Sequence, residues 1–235
     1  MSLILRIDVD KPFGTSCLIK RIISKTREDY WLPALKNLGY LRHAKEFISI
    51  LNQHSIKAHI YFRMCTAPDQ STLSEVIEGE HLIGLHCENT KSFESFNQEL
   101  QRFKSLIGNT HIDSFTKHGS GTLKLGRNHY PPYEPEKYKD WAQKIGLNYY
   151  FGNGIISELA SLETVKTFYP EMFWIEADYR HPNASKLEKI IDISQSHKVA
   201  VLIHPCNYYS RVQVKKDFDY LLRQTSSGRI NWALS

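Results

Sequence analysis

Short apolar runs alternate with stretches of helical period along nearly the whole chain, and this alternation constrains the fold more than any other feature. Runs of strand length fall at 3–9, 57–62, 81–85, 112–116, 147–151, 172–177 and 198–203. Between them, 41–54 sets Leu41, Ala44, Phe47, Ile48 and Leu51 on one stripe, and 93–107 sets Phe96, Leu100, Phe103 and Ile107 on one face. Further helical stretches are read near 71–79, 135–145 and 184–194. Strands buried on both sides and separated by amphipathic helices are parallel strands with crossover helices, because a parallel pair cannot be closed by a tight turn. About seven such strands in 235 residues predict an α/β fold, a closed or nearly closed (β/α) barrel. No second apolar pattern needs a core of its own, so one domain over 1–235 is expected. The Gly- and Pro-rich stretch 119–135 reads as a long surface loop, and 212–235 as a last helix with an irregular end.

Composition removes several function classes. With 41% hydrophobic and 23% charged residues the chain has the balance of a globular protein. Its net charge of +5 comes from scattered Lys and Arg without a basic run, so no nucleic-acid partner is expected, and the charge favours an anionic ligand only weakly. Cys17 lies in a loop-like stretch, while Cys65, Cys87 and Cys206 each fall beside a strand end. With no CxxC pair, neither a disulfide framework nor a cysteine zinc site is expected. No apolar run reaches membrane-spanning length, and the first eight residues are too short and too soon charged for a signal peptide. The expected location is the cytoplasm.

The polar residues that stand out lie at strand ends, where a barrel gathers catalytic groups from distant parts of a chain. The first run ends Arg6-Ile7-Asp8-Val9-Asp10, and strand parity points Asp8 and Asp10 to the same side. Two carboxylates that close repel unless a cation or a shared proton lies between them, which suits a metal ligand beside a general base; solvated acids at a strand exit are the plain alternative. His86 ends the run Leu82-Ile83-Gly84-Leu85, as a neutral imidazole offered to a divalent metal or as a hydrogen-bonded structural group. His204 ends Val199-Ala200-Val201-Leu202-Ile203 and is placed either to protonate a leaving group or to serve structurally. Thr116-Lys117-His118-Gly119 adds a cation and a His, and the run Phe173 to Arg180 adds another acid at a strand end. Five such strand ends in one chain favour an active site over coincidence.

In their order and context these motifs resemble those of the NodB-homology polysaccharide deacetylases, carbohydrate esterase family 4, over nearly the full chain. The passage 44–62 is similar to that family's second unit, 80–90 to its metal-His motif and 201–205 to its closing Leu-x-His motif; Asp8-Val9-Asp10 resembles a branch variant of its first motif. The resemblance implies a distorted (β/α) barrel of about seven parallel strands and metal-dependent removal of an N-acetyl group from a sugar or oligosaccharide substrate. It implies zinc, with nickel or cobalt as alternatives. Asp8 would be the general base, Asp10 and His86 metal ligands and His204 the general acid, with Lys117 and Asp178 orienting the base. The family's second metal His corresponds here to Thr90. Two ligands are short of the three usual for catalytic zinc, so His118 is expected to replace the missing one, ahead of Glu88 and Asn89. The lost His also fits a catalytically silent barrel that binds a glycan or a partner. A metal hydrolase for another amide is the third reading. Seven aromatic residues, Tyr130, Tyr133, Tyr149, Tyr150, Trp174, Tyr208 and Tyr209, offer stacking surfaces for sugar rings or core packing.

Overall fold

The computed structural model describes residues 2–14, 16–32, 34–35, 38–108, 110–156 and 168–234. Seven strands form the barrel: β1 (Ser2–Val9), β2 (Ala58–Phe62), β3 (Leu82–Cys87), β4 (Ser114–Lys117), β5 (Tyr149–Ile155), β6 (Phe168–Trp174) and β7 (Lys198–Ile203). They pair in sequence order, all parallel, and β1 closes the ring by pairing with both β7 and β2. A two-residue strand, β8 (Trp232–Ala233), pairs with β1 at Leu3 and Ile4, below the point where β2 begins at Leu5↔Ala58. The (β/α) barrel expected from the alternation is therefore the observed fold. The registers of β5 and β6 shift between Phe151 and Gly154, where a Cβ on Gly152 or Gly154 would lie 2.6 Å from the Pro170 carbonyl. This is the distorted side of the barrel.

Strand parity divides the apolar residues into two layers. Leu3, Leu5, Ile7 and Val9 of β1 face outward with Ala58, Ile60 and Phe62 of β2 and Val199, Val201 and Ile203 of β7, into the main core under the helices. Ile4 faces the lumen with Tyr61, Phe151, Tyr169, Met172, Ala200 and Leu202. These side chains fill the lower barrel, so it is a packed core rather than a channel. The next inward residues up β1 are Arg6 and Asp8, both buried, and Asp10 lies just beyond the strand's end. One strand thus rises from an apolar floor to a polar mouth.

The outer layer holds α1 (Leu18–Tyr30), α2 (Arg42–Gln53), α3 (Gln70–Glu78), α4 (Phe93–Ile107), α5 (Pro135–Lys144), α6 (Leu187–Ser194), α7 (Pro205–Ser210) and α8 (Val212–Ser226). The stripes read from the sequence are the buried faces: Ala44, Phe47, Ile48 and Leu51 on α2, and Phe96, Leu100, Phe103 and Ile107 on α4. Burying each large apolar side chain contributes roughly 1.5–3 kcal/mol, more than helix propensity supplies. Asp69 accepts from the Thr72 N–H to start α3, Ser92 accepts from the Ser95 N–H to start α4, and Pro135 occupies the first turn of α5. Helix α1 belongs to none of the stretches read from the sequence. Its apolar residues Leu18, Ile19 and Ile22 fall on one side but face solvent rather than the core. The sixth strand, read at 172–177, runs instead from Phe168 to Trp174, and a 3-10 turn at Ala177–Tyr179 follows it. All four cysteines are free. Among the described residues no helix is long and apolar enough to cross a membrane.

Candidate active site at the barrel mouth

The seven barrel strands all run toward one mouth, and β1, β3, β4 and β7 bring Asp8, Asp10, His86, His118 and His204 together there. Asp10 Oδ1 lies 3.3 Å from His86 Nε2 and 3.4 Å from His118 Nδ1, and Asp10 Oδ2 lies 3.5 Å from His204 Nε2. Asp8 Oδ2 is 3.6 Å from His86 Nε2. These groups line a cavity of about 480 Å³ with Asn153, Trp174 and Tyr179, within the 300–1,000 Å³ range usual for small-molecule sites.

Asp10, His86 and His118 each turn one ligand atom into a triangle whose corners all lie within 4.8 Å of one another. Two donors on one tetrahedral zinc, each at about 2.0–2.1 Å, are separated by about 3.4 Å, which matches both edges that meet at Asp10. Asp10 Oδ1 and His118 Nδ1 are buried and have no hydrogen-bond partner within the protein. Buried polar atoms are rarely left so. The His86 Nδ1 lies in hydrogen-bond contact with the buried Thr116 hydroxyl, which leaves Nε2 to face the carboxylates. Burial, then repulsion from Arg63, pushes the His118 imidazolium down to about 3, so its ring is neutral with a lone pair to offer. Burial alone would raise the Asp10 carboxyl, but His118, His86 and His204 hold it well below the usual range. The donor set fits a divalent metal ion.

The two groups flanking this triangle are held in opposite protonation states. Arg6 forks onto Asp8, donating Nε to Oδ1 at 2.8 Å and Nη2 to Oδ2 at 2.6 Å. It also donates to the Gly152 carbonyl and to Asn153 Oδ1, so its plane is fixed from two sides. Burial works against the Asp8 anion, but Arg6 and then His86 outweigh it and keep the carboxyl below its ordinary value. His204 donates Nδ1 to Glu176 Oε1 at 2.9 Å, and its own backbone N–H and Asn207 Nδ2 reach the same oxygen at 3.2 and 3.0 Å. Burial would lower the His204 imidazolium, yet Glu176, with help from Asp10 and Asp8, raises it to about 9. At neutral pH the site holds an anionic Asp8 and a protonated His204.

Arg6 makes the contact to Asp8 for which Lys117 and Asp178 were expected, and Glu176 holds His204 instead. Lys117 is fully buried beside the mouth, with Nζ on the carbonyls of His118 and Gly119. Asp178 sits in the turn after β6 with a side chain 76% exposed, paired with Arg211. Both missed residues carried a signal. Arg6 shares the parity of Asp8 and Asp10, and Glu176 lies two residues before Asp178. Thr90 is buried against the Tyr138 hydroxyl at 3.2 Å. Of the weaker ligand choices, Glu88 is paired with Arg63 at 2.7 Å, and the Asn89 N–H donates to Glu99. Of the seven aromatic residues read as stacking surfaces, Trp174 lines the cavity; the side chain of Tyr149 lies outside the described residues.

No protein-family model and no curated protein matches the chain in sequence. Solved structures do match in shape. A CE4 esterase from Streptococcus mutans superposes with a TM-score of 0.54 at 11% identity, over 99% of this chain and 84% of that one. A polysaccharide deacetylase from Bacillus cereus superposes with a TM-score of 0.50 at 13% identity, over 100% and 90% of the two chains. At such identities the likeness concerns architecture alone. Nearly from end to end, this chain has the fold of the polysaccharide deacetylases.

Proposed function

We propose that this protein is a metal-dependent hydrolase that removes an N-acetyl group from a sugar or oligosaccharide. The observation that carries the reading is the single constellation of an Asp-His-His donor triangle between an Arg-held carboxylate and a Glu-held imidazolium. Asp10, His86 and His118 would hold the ion, zinc on this donor set, with nickel or cobalt as alternatives. When bound, such an ion supplies a Lewis acid that polarises the acetyl carbonyl and acidifies a water.

The chain's own residues supply the proton transfers. Asp8, kept ionised and aimed by Arg6, accepts the proton of the attacking water as its oxygen bonds to the acetyl carbon. His204, kept protonated by Glu176, gives its Nε2 proton to the sugar nitrogen as the C–N bond breaks. Acetate and a free amine result; Asp8 then releases the proton it took and His204 takes one back, which resets the site. Lys117 and Asp178 take no part in these transfers. Trp174 and Tyr179 on the cavity wall, 5.0 Å apart between ring centroids, suit a sugar ring. An adjoining cleft of about 620 Å³ carries Lys11, Arg21, Lys25 and Arg63 against Asp10 and Glu28. Lys25 and Arg63 are taken up by Glu28, Asp29 and Glu88, and Lys11 and Arg21 remain to favour a phosphate-bearing precursor of a surface polysaccharide, a substrate of the cytoplasm, over a neutral polymer.

Acetate release from N-acetyl sugars, their nucleotide-linked forms and non-sugar acetamides tests the assignment, together with metal analysis of the parent, Asp10→Ala and His86→Ala. Near-stoichiometric metal that both variants lose, with release from a sugar acetamide, is the expected result. Metal binding with turnover of non-sugar amides alone moves the protein to another hydrolase class. A parent that binds no metal and leaves every acetamide intact is a silent barrel.

A further inference from the structure

Lys117 is fully buried, yet among the described residues its ammonium makes no ion pair. Nζ donates to the His118 carbonyl at 2.6 Å and to the Gly119 carbonyl at 3.3 Å, and lies 3.1 Å from His129 Nε2. Desolvating a cation without a counter-ion is costly, so its retention calls for a compensating task. His129, also buried, shows where that task lies. Its Nδ1 accepts from the Leu125 N–H at 3.2 Å, which places the ring proton on Nε2, and Nε2 lies 2.9 Å from the same His118 carbonyl. The His118 N–H donates to the Cys87 carbonyl at 2.8 Å. Both polar groups of this residue's backbone are thus fixed, one by β3 and the other by two buried side chains.

The position of His118 explains why such fixing matters. It follows the last residue of β4, and Gly119 at φ +70° turns the chain away immediately afterwards. A Cβ on Gly119 would lie 2.9 Å from Leu125 Cδ1 and 3.0 Å from His129 Nε2, so the turn and the clamp are packed together. A donor just past a strand end lacks the full ladder that holds His86 within β3.

We infer that Lys117 and His129 are positioning residues for the metal centre, clamping the His118 carbonyl so that this loop-borne imidazole faces Asp10 and His86. The inference rests on the metal reading above. It assigns a task to a buried lysine and a buried histidine that the proton transfers do not use.

Zinc affinity of the 235-residue chain, measured by competition with a chromophoric chelator, tests it alongside thermal unfolding of each metal-free protein. Lys117→Met and His129→Ala should weaken zinc binding roughly tenfold to a hundredfold. His129→Gln, whose amide can still donate to the His118 carbonyl, should recover most of that loss. The unfolding midpoint of metal-free Lys117→Met should change little, since losing two hydrogen bonds to carbonyls is offset by no longer burying a charge without a counter-ion. If both truncations bind zinc within twofold of the parent while His118→Ala loses it, the clamp is wrong and the metal centre stands. Affinity that falls only in step with the metal-free midpoint, or a Gln no better than Ala at 129, also overturns the clamp. A parent that binds no zinc overturns the metal reading itself and takes the clamp with it.

Discussion

Replacing Glu176 by Gln removes one charge and keeps the shape of the group that faces His204. In the parent, the fully buried Glu176 takes Nδ1–H on Oε1 at 2.9 Å, and the mostly buried His204 is raised to about 9. Burial opposes that rise, so a neutral amide should let the imidazolium fall at least to its ordinary value of about 6.5. At pH 7.5 the protonated fraction then drops from roughly 0.97 to roughly 0.09, a loss of about tenfold in a step that needs the proton. The pH dependence of kcat/KM for acetate release reads this directly. The parent should stay active up to about pH 9 before its alkaline limb falls, and Glu176→Gln should move that limb down by one unit or more. The sign carries over to folding of the metal-free chain. A raised imidazolium stabilises fully below the unfolded value of about 6.5 and stops doing so as pH climbs through about 9, a term on the order of 3 kcal/mol at most. An alkaline limb that stays in place within about 0.3 unit in Glu176→Gln would refute the assignment of His204 as proton donor.

Three other outcomes follow from contacts at the mouth. Arg6→Met leaves Asp8 as an unpaired buried carboxylate and should cost about 3–5 kcal/mol in urea unfolding, whereas Arg6→Met with Asp8→Asn should recover much of that loss; equal costs for the single and double variants would show that the pair is not coupled. Thr90→Val removes one hydroxyl contact to Tyr138 at a residue that does not line the cavity, and should cost no more than about 1.5 kcal/mol in unfolding with zinc affinity unchanged; a tenfold loss of affinity would place Thr90 in the centre. Zinc at a hundred times its Kd should stabilise the fold by about 2.7 kcal/mol, visible as a higher Tm that a chelator reverses. No shift in Tm on zinc addition would count against a metal site formed only in the folded chain.

Most of the architecture was readable because parallel strands buried on both faces are continuous apolar runs, and their helices repeat at a different period. Strand parity likewise put Asp8 and Asp10 on one side before any coordinates did. The same parity includes Arg6, but a cation inside a barrel reads as improbable until a carboxylate is seen to neutralise it. Asp178 in place of Glu176 reflects a boundary. The strand read through Ala177 ends at Trp174, and the turn that follows sends Glu176 inward and Asp178 to solvent. Helix α1 lies outside the helical stretches read from the sequence although Leu18, Ile19 and Ile22 share one side of it, and the fold leaves that side in solvent while burying Arg27. His118 was reachable as a candidate from its place after an apolar run, but nothing local shows that its ring meets Asp10 across the lumen.

Arg6, Asp8 and Asp10 come from five consecutive positions, and their inward aim depends on the pairing of β1 with β2 and β7. A slip by one position in either ladder would turn Asp8 into the greasy space beneath the helices and bring Ile7 or Val9 into the lumen. A molecule misassembled in this way has no diminished version of the proposed centre to fall back on, because the proposed proton acceptor, its guanidinium and the proposed cation ligand all leave together. Turnover per folded molecule is therefore a gauge of correct strand alignment during refolding, sensitive to errors that helical content would pass unnoticed.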